Sequence, residues 1–140
     1  MILIISSAFD KSDADVIKHL RKSCSEKLID EGLAIEIHEV PGAIEIPVAI
    51  QYFATQNPGK FSAAIALGCV IKGESDHYEL VCKSVTEGLT VLALELGIPV
   101  IQGVLACHNK DQAKARRNLG KEFAETAITM RNLFLTQIEK

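Results

Sequence analysis

An α/β fold is predicted, a flavodoxin-like three-layer αβα sandwich built on a four-stranded parallel sheet. Four apolar runs, each continuous rather than alternating, are followed in turn by segments with helical spacing. A continuous run buries both faces of its strand, as in a parallel sheet covered by helices on both sides. Right-handed crossovers between such strands give the sandwich. No repeat, low-complexity stretch or linker interrupts the pattern, so residues 1–140 are expected to form a single domain with one core.

The elements follow in order. Ile2 to Ser7 is the first strand, and Ser12 to Asp30 is a helix through Val16, Leu20 and Leu28 that ends at Gly32. Leu33 to Val40 is the second strand. Glu45 to Gln56 is a helix that starts just after Pro41-Gly42 and is stopped by Asn57-Pro58-Gly59. Phe61 to Ile71 contains the third strand, Asp76 to Leu96 is a long helix closed by Gly97, and Val100 to Cys107 is the fourth strand. Asp111 to Ile138 is helical, with an interruption at Asn118-Leu119-Gly120.

Composition narrows the function classes. The chain is 48% apolar and 24% charged with a net charge of -3, an ordinary globular profile. Basic residues are scattered apart from Lys114, Arg116 and Arg117, and aromatic residues are few, so no nucleic-acid partner is expected. The start, Met1-Ile2-Leu3-Ile4-Ile5, has no basic leader and turns polar at Ser6, which predicts neither a signal peptide nor a membrane span and points to the cytoplasm. Cys24, Cys69, Cys82 and Cys107 lack any paired spacing and are expected to be free, mostly buried thiols; Cys107-His108 is a solitary Cys/His pair, and no metal site is expected.

In sheets of this kind ligands bind beyond the carboxyl ends of the strands. Candidate chemistry therefore lies in Ala8-Phe9-Asp10, in Pro41 to Glu45, in Ile71 to His77 and in the stretch after Cys107. Gly73-Glu74-Ser75-Asp76-His77 joins a strand to a helix. A helix start leaves backbone N–H groups unpaired and carries partial positive charge, which suits an anion such as phosphate and disfavours imidazolium, leaving a nearby histidine able to accept a proton. The structural alternatives are that Ser75 or Asp76 is simply the N-cap, Asp76 and Glu79 forming a capping box, and that His77 packs in the core with Leu80, Val81, Val85, Leu89 and Leu92. Phe9 is either a stacking surface for a planar ligand or a loop anchor. Glu45 either favours a helix start or accepts hydrogen bonds from a polyol or amine.

Read together, these segments resemble the lumazine synthases of riboflavin biosynthesis. Val40-Pro41-Gly42-Ala43-Ile44-Glu45-Ile46-Pro47 is similar to the V-P-G-A-F/W-E-I-P signature of that family, and Ala66 through Tyr78 is similar to A-L-G-x-V-I-R/K-G-E-T-x-H-F/Y. Gly97-Ile98-Pro99-Val100, Gly103-Val104-Leu105 and Asp111-Gln112-Ala113 with Arg116 are similar to G-x-P-V…G-V-L…E-Q-A…R. The match runs in order along essentially the whole chain. The resemblance implies a cofactor-independent condensation of 5-amino-6-(D-ribitylamino)uracil with 3,4-dihydroxy-2-butanone 4-phosphate, giving 6,7-dimethyl-8-ribityllumazine, phosphate and water. It implies that Phe9 stacks on the pyrimidine, that Ala43, Ile44 and Glu45 bind the ring edge and ribityl chain, and that the backbone of Cys69, Val70 and Ile71 holds the heterocycle. Gly73, Glu74 and Ser75 would form the phosphate loop, His77 would transfer protons, and Arg116 would pair with the phosphate. Segments matching Gln102 and Arg116 reach in from a neighbouring subunit in the family, which implies a homopentamer or an assembly of pentamers.

The chain departs from the family pattern at several positions. Ser75 keeps the hydroxyl of the usual threonine, Glu79 stands for aspartate, and Leu80 and Ile44 stand where aromatic residues are common. The segment after Arg116 is about five residues shorter than the family pattern, and Leu119 occupies the place of a lysine, a role that out-of-register Lys121 does not inherit. The start near the first strand lacks the N-terminal extension that pairs with a neighbour in capsid-forming members, so rings or paired rings are expected rather than a sixty-subunit shell. Binding of a flavin or lumazine without turnover is the alternative function. A receiver-type signalling domain would need an acidic cluster and an aspartate at the end of the third strand, where this chain has Gly68-Cys69-Val70.

Overall fold

A computed structural model describes residues 1–8, 14–73 and 77–138. Four strands, β1 (Ile2–Ser7), β2 (Ile35–Val40), β3 (Ala63–Ile71) and β4 (Val100–Cys107), form one sheet in the order β2-β1-β3-β4. Every pairing is parallel: Ile2↔Ile35 begins the β1–β2 register, Ile2↔Ala63 the β1–β3 register and Ala64↔Val100 the β3–β4 register. The continuous apolar runs thus mark buried parallel strands, and all six residues of β1 are buried.

Helices α1 (Ala14–Asp30) and α5 (Gly120–Ile138) cover one face, where Ile2, Ile4, Ile65 and Leu67 pack with Cys24, Leu28, Ala124 and Ala127. Helices α2 (Ile46–Gln56) and α3 (Tyr78–Leu96) cover the other, where Leu3, Ile5, Ala64 and Ala66 pack with Ile46, Ile50, Val85 and Leu89. Strand side chains alternate between faces with period two, and helices cover both faces. Within each helical layer the two helices meet where side chains vanish: a Cβ on Gly88 would lie 3.1 Å from Pro47 Cγ, and one on Gly120 would collide with the Leu20 carbonyl.

Several boundaries differ from the sequence reading. Residues 12 and 13 lie outside the described residues, so the description of α1 begins at Ala14. The expected helix from Glu45 is a 3₁₀ turn, Ala43–Glu45, that leads into α2, whose first turn holds Pro47, where the missing N–H has no helical partner to lose. Helix α3 opens at Tyr78 with His77 as its N-cap. The last helical stretch is two elements, α4 (Lys110–Ala115) and α5, with turn backbone at residues 116–119; Gly120 is the first residue of α5 because only a glycine fits against α1 there.

None of the four cysteines forms a disulfide; Cys24 and Cys107 are buried and Cys69 and Cys82 half-buried. Burial pushes the Cys24 thiol up from 9.0 to about 12. A thiol held protonated in this way leaves stability intact below its unfolded value and erodes it as pH rises from there toward about 12, because the unfolded chain loses the proton first. Stability of the wild type should therefore fall more steeply between about pH 9 and 11 than that of Cys24→Ala, by up to about 1.4 kcal/mol per pH unit. Urea unfolding at stepped pH checks this, and parallel slopes would remove Cys24 as the cause.

Candidate active site

The order β2-β1-β3-β4 reverses direction between β1 and β3, and the crevice beyond their carboxyl ends is where open parallel sheets bind ligands. Ser6 and Ser7 close β1 there and are buried. Gly68 lies across from Ser7: a Cβ on it would stand 2.9 Å from Ser7 Oγ, so the glycine leaves room for a hydroxyl between the strands. The β1–β3 register ends at Ser6↔Leu67, whereas β3 continues beside β4 to Ile71↔Cys107. Cys69, Val70 and Ile71 thus carry the main chain past the end of the β1 ladder. Cys69 and Ile71 face the α4 side and Val70 the α2–α3 side.

One further ladder bond, Lys72 N–H to the Cys107 carbonyl at 2.8 Å, fixes where the chain leaves the sheet. Gly73 then takes φ +96, the left-handed region that a residue with a Cβ rarely adopts. Glu74 and Ser75 lie outside the described residues, as do Asp76 of the expected capping box and Phe9. His77 is exposed, and its carbonyl accepts the Val81 N–H at 2.9 Å. The core-histidine alternative therefore fails. Val85, Leu89 and Leu92 are buried, whereas Leu80 is 65% exposed and stands off that face. Glu79 lies 3.5 Å from Lys72 Nζ, an exposed pair that spans the two ends of the segment and contributes little stability by itself.

At the end of β2, Gly42 is extended and Ala43 buried, while Ile44 is 51% exposed. The Glu45 carboxylate curls back over Gly42, where a Cβ would lie 3.1 Å from Oε2. Arg116, just past α4, donates from Nη1 to Cys107 Sγ at 3.6 Å and so lies at the same end of the sheet as Gly73. Gln102 is not brought to that end. It pairs with Ala66 in mid-strand, its Oε1 accepts the Val104 N–H at 2.7 Å, and its Nε2 donates to Thr86 Oγ1 at 3.3 Å.

Three residues that the sequence reading gave no role stand beside these. The Tyr78 ring lies 6.2 Å from the His108 ring, tilted by 38°. Burial, joined by the Cys82 thiol, raises the Tyr78 phenol above its ordinary range, and burial likewise raises Cys82. The strand-end rule pointed at the stretch after Cys107 and so could have found His108; the packing of Tyr78 and Cys82 had no such signal. A groove of about 600 Å³ opens elsewhere, along the outer surfaces of α2 and α3, lined by Pro47, Val48, Leu80, Lys83, Glu87 and Val91 among others.

The family model for 6,7-dimethyl-8-ribityllumazine synthase matches residues 1–134. The chain belongs to this family. It is 42% identical over 134 residues to the 6,7-dimethyl-8-ribityllumazine synthase of Azoarcus sp. (strain BH72), covering 93% of this chain and 83% of the relative. It is 40% identical over 138 residues to the protein of the same name from Nitrosomonas europaea, covering 96% and 83%. A de novo designed Rossmann fold protein superposes with a TM-score of 0.50 at 18% identity, covering 89% of this chain and 97% of its own, a likeness of fold alone.

Proposed function

We propose that the chain condenses 5-amino-6-(D-ribitylamino)uracil with 3,4-dihydroxy-2-butanone 4-phosphate to 6,7-dimethyl-8-ribityllumazine, the penultimate step of riboflavin biosynthesis. The observation that carries this reading is the family match along residues 1–134. Amine attack on the ketone, loss of phosphate and ring closure are chiefly proton transfers between two positioned substrates, so general acid–base chemistry and proximity suffice. In this reading residues 1–140 act as one catalytic domain in the cytoplasm, in keeping with four cysteines and no disulfide.

The pyrimidine lies on the β1–β2 side of the crevice, with Phe9 on its ring and Ala43, Ile44 and Glu45 on its edge and ribityl chain. The main chain of Cys69, Val70 and Ile71 holds the heterocycle. The phosphorylated ketone lies beyond β3, its phosphate taken by Gly73, Glu74, Ser75 and Arg116, and His77 moves the protons. A guanidinium binds phosphate through a planar fork, so the leaving anion meets its partner before it departs.

The active unit is a ring, in this reading a homopentamer, with Gln102 and Arg116 serving the site of a neighbour. Two features favour association. Gln102 lies in mid-strand, away from the carboxyl end of its own sheet. The outer surfaces of α2 and α3 also expose Val48, Leu80, Val91 and Leu94, more apolar surface on one side than scattered exposure gives. Head-to-tail contacts close into a ring when their rotation permits.

Formation of 6,7-dimethyl-8-ribityllumazine, followed by absorbance, tests the reaction directly. His77→Ala should lower turnover toward the low end of the ~10²–10⁴-fold range typical of general acid–base groups and leave the unfolding curve in place. Wild-type single-turnover rates would take His77 out of the mechanism. Arg116→Ala should weaken the phosphorylated ketone by roughly 1.5–3 kcal/mol, about 10–150-fold, and the pyrimidine far less, with Arg116→Lys recovering part. Equal weakening of both substrates would contradict the assignment. Sedimentation should give a closed ring, and co-refolding His77→Ala with Arg116→Ala chains should regain activity, because both lesions can fall in one interface and leave another intact. An active monomer, or mixed rings with no gain, would rule out a site shared in this way.

A further inference from the structure

Strand β1 ends on two buried hydroxyls that are used differently. Ser6 follows Ile2 and Ile4 onto the α1–α5 face and donates its hydroxyl to the Ser7 carbonyl at 3.0 Å. Ser7 follows Leu3 and Ile5 onto the α2–α3 face and is 4% exposed. Among the described residues its hydroxyl makes no hydrogen bond. No side-chain oxygen or nitrogen of the described residues is both sealed in the protein and without a partner, so this oxygen is reachable from the strand end. A hydroxyl held mostly out of water without a partner costs free energy, and an arriving ligand that bonds it removes that cost.

The neighbouring strands fix where that hydroxyl lies. Ser7 pairs with Val40 of β2, and the next residue, Ala8, donates its N–H to the Val40 carbonyl at 2.6 Å, so the end of β1 is held in place. On the other side lies Gly68. A Cβ there would stand 2.9 Å from Ser7 Oγ but 3.5 Å from Ser7 Cβ and 3.6 Å from Val104 Cγ1, so the hydroxyl alone requires the glycine. Ala43 and Val70 lie on the same face at the same end of the sheet. Ser7 thus stands between Ala43 and the main chain of Cys69 to Ile71, the two sides of the place assigned to the pyrimidine.

We propose that Ser7 is a further binding residue for the pyrimidine, its hydroxyl hydrogen-bonding a ring-edge oxygen or nitrogen where β1 meets β3. The role deepens the reading of the preceding section and rests on it. A hydroxyl both donates and accepts, so it can meet a ring carbonyl or a ring N–H. It gives up no internal bond to do so, and a heterocycle that lacks the matching edge group would leave it unpaired, which favours the pyrimidine over that analogue. Gly68 is the positioning residue that keeps the space for the oxygen.

Calorimetric titration of the assembled protein with 5-amino-6-(D-ribitylamino)uracil, and separately with 6,7-dimethyl-8-ribityllumazine, tests this without turnover, alongside KM for each substrate. Ser7→Ala should weaken both ligands about three- to tenfold, leave KM for the phosphorylated ketone unchanged and leave the unfolding curve in place. Gly68→Ala should produce a similar loss in the wild type and none further in Ser7→Ala, where the crowding oxygen is gone. Wild-type affinity in Ser7→Ala would overturn the proposal, and so would equal rises in both KM values, the mark of a merely structural role. An equal loss from Gly68→Ala in both backgrounds would trace the effect to strand spacing and overturn it too. If the wild-type protein turns over and binds the pyrimidine and Ser7→Ala matches it, the role of Ser7 alone fails. If the wild type binds neither ligand and forms no product, the reaction reading itself is wrong.

Discussion

The parallel ladder between β3 and β4 carries the site. From Ala64↔Val100 to Ile71↔Cys107, and one bond further at Lys72, it sets the point at which both chains turn out of the sheet. Gly73 and Tyr78 on one side and His108, Asn109 and Arg116 on the other all take their positions from that exit. Small residues keep the ladder tight. A Cβ on Gly103 would lie 2.5 Å from the Ala66 carbonyl and 2.9 Å from Phe123 Cδ2, so α5 rests directly on the β4 backbone. Overpacking there typically costs about 1–3 kcal/mol, and any shift it forced on β4 would pass to Cys107 and the guanidinium beside it.

The two faces of the sheet do different work. Under the carboxyl end, Val16 and Leu20 of α1 pack with Ile71, Leu105, Cys107 and Ala113, joining the ends of β3 and β4 to α1 and α4 in one apolar cluster. Arg117 reaches from the turn after α4 to Asp15 at 3.2 Å, which ties that turn to the start of α1. Arg116 therefore stands on a rigid base between that cluster and the tied turn. On the opposite face, α2 and α3 spend their inner residues on the sheet and present apolar side chains and a groove outward.

Much of this was legible in the sequence. Continuous apolar runs gave the buried strands, and Gly32, Gly59 and Gly97 stand with positive φ where the chain turns. Boundaries shifted where local chemistry overrode periodicity: Pro47 moved the start of α2, and Gly120 joined α5 because of packing against α1. At the candidate site, the strand-end rule pointed to the segments that follow the strands, and ordered motifs gave the family. The contacts that shape the site were not legible. Tyr78 meets His108, Lys72 meets Glu79 and Arg116 meets Cys107 because of the register between strands and the length of each exit, which no periodicity within one segment encodes.

Gln102 shows how edge and site become one problem. Since Ala64 N–H bonds the Pro99 carbonyl and Lys72 N–H the Cys107 carbonyl, the odd residues of β4 face β3 and the even ones face outward. An outward row of donors and acceptors on a last strand invites another strand to pair with it. Gln102 Oε1 takes the outward Val104 N–H, and Thr86 fixes the other end of the amide, so that row is interrupted at its middle. Its oxygen accepts one backbone donor and one of its N–H groups is held by Thr86, which leaves one N–H and one lone pair for anything beyond the edge. Strand addition is thereby disfavoured along β4, whereas α2 and α3 present exposed Val48, Leu80 and Val91 outward. Substitution of Gln102 would consequently disturb the sheet edge as well as any ligand it meets.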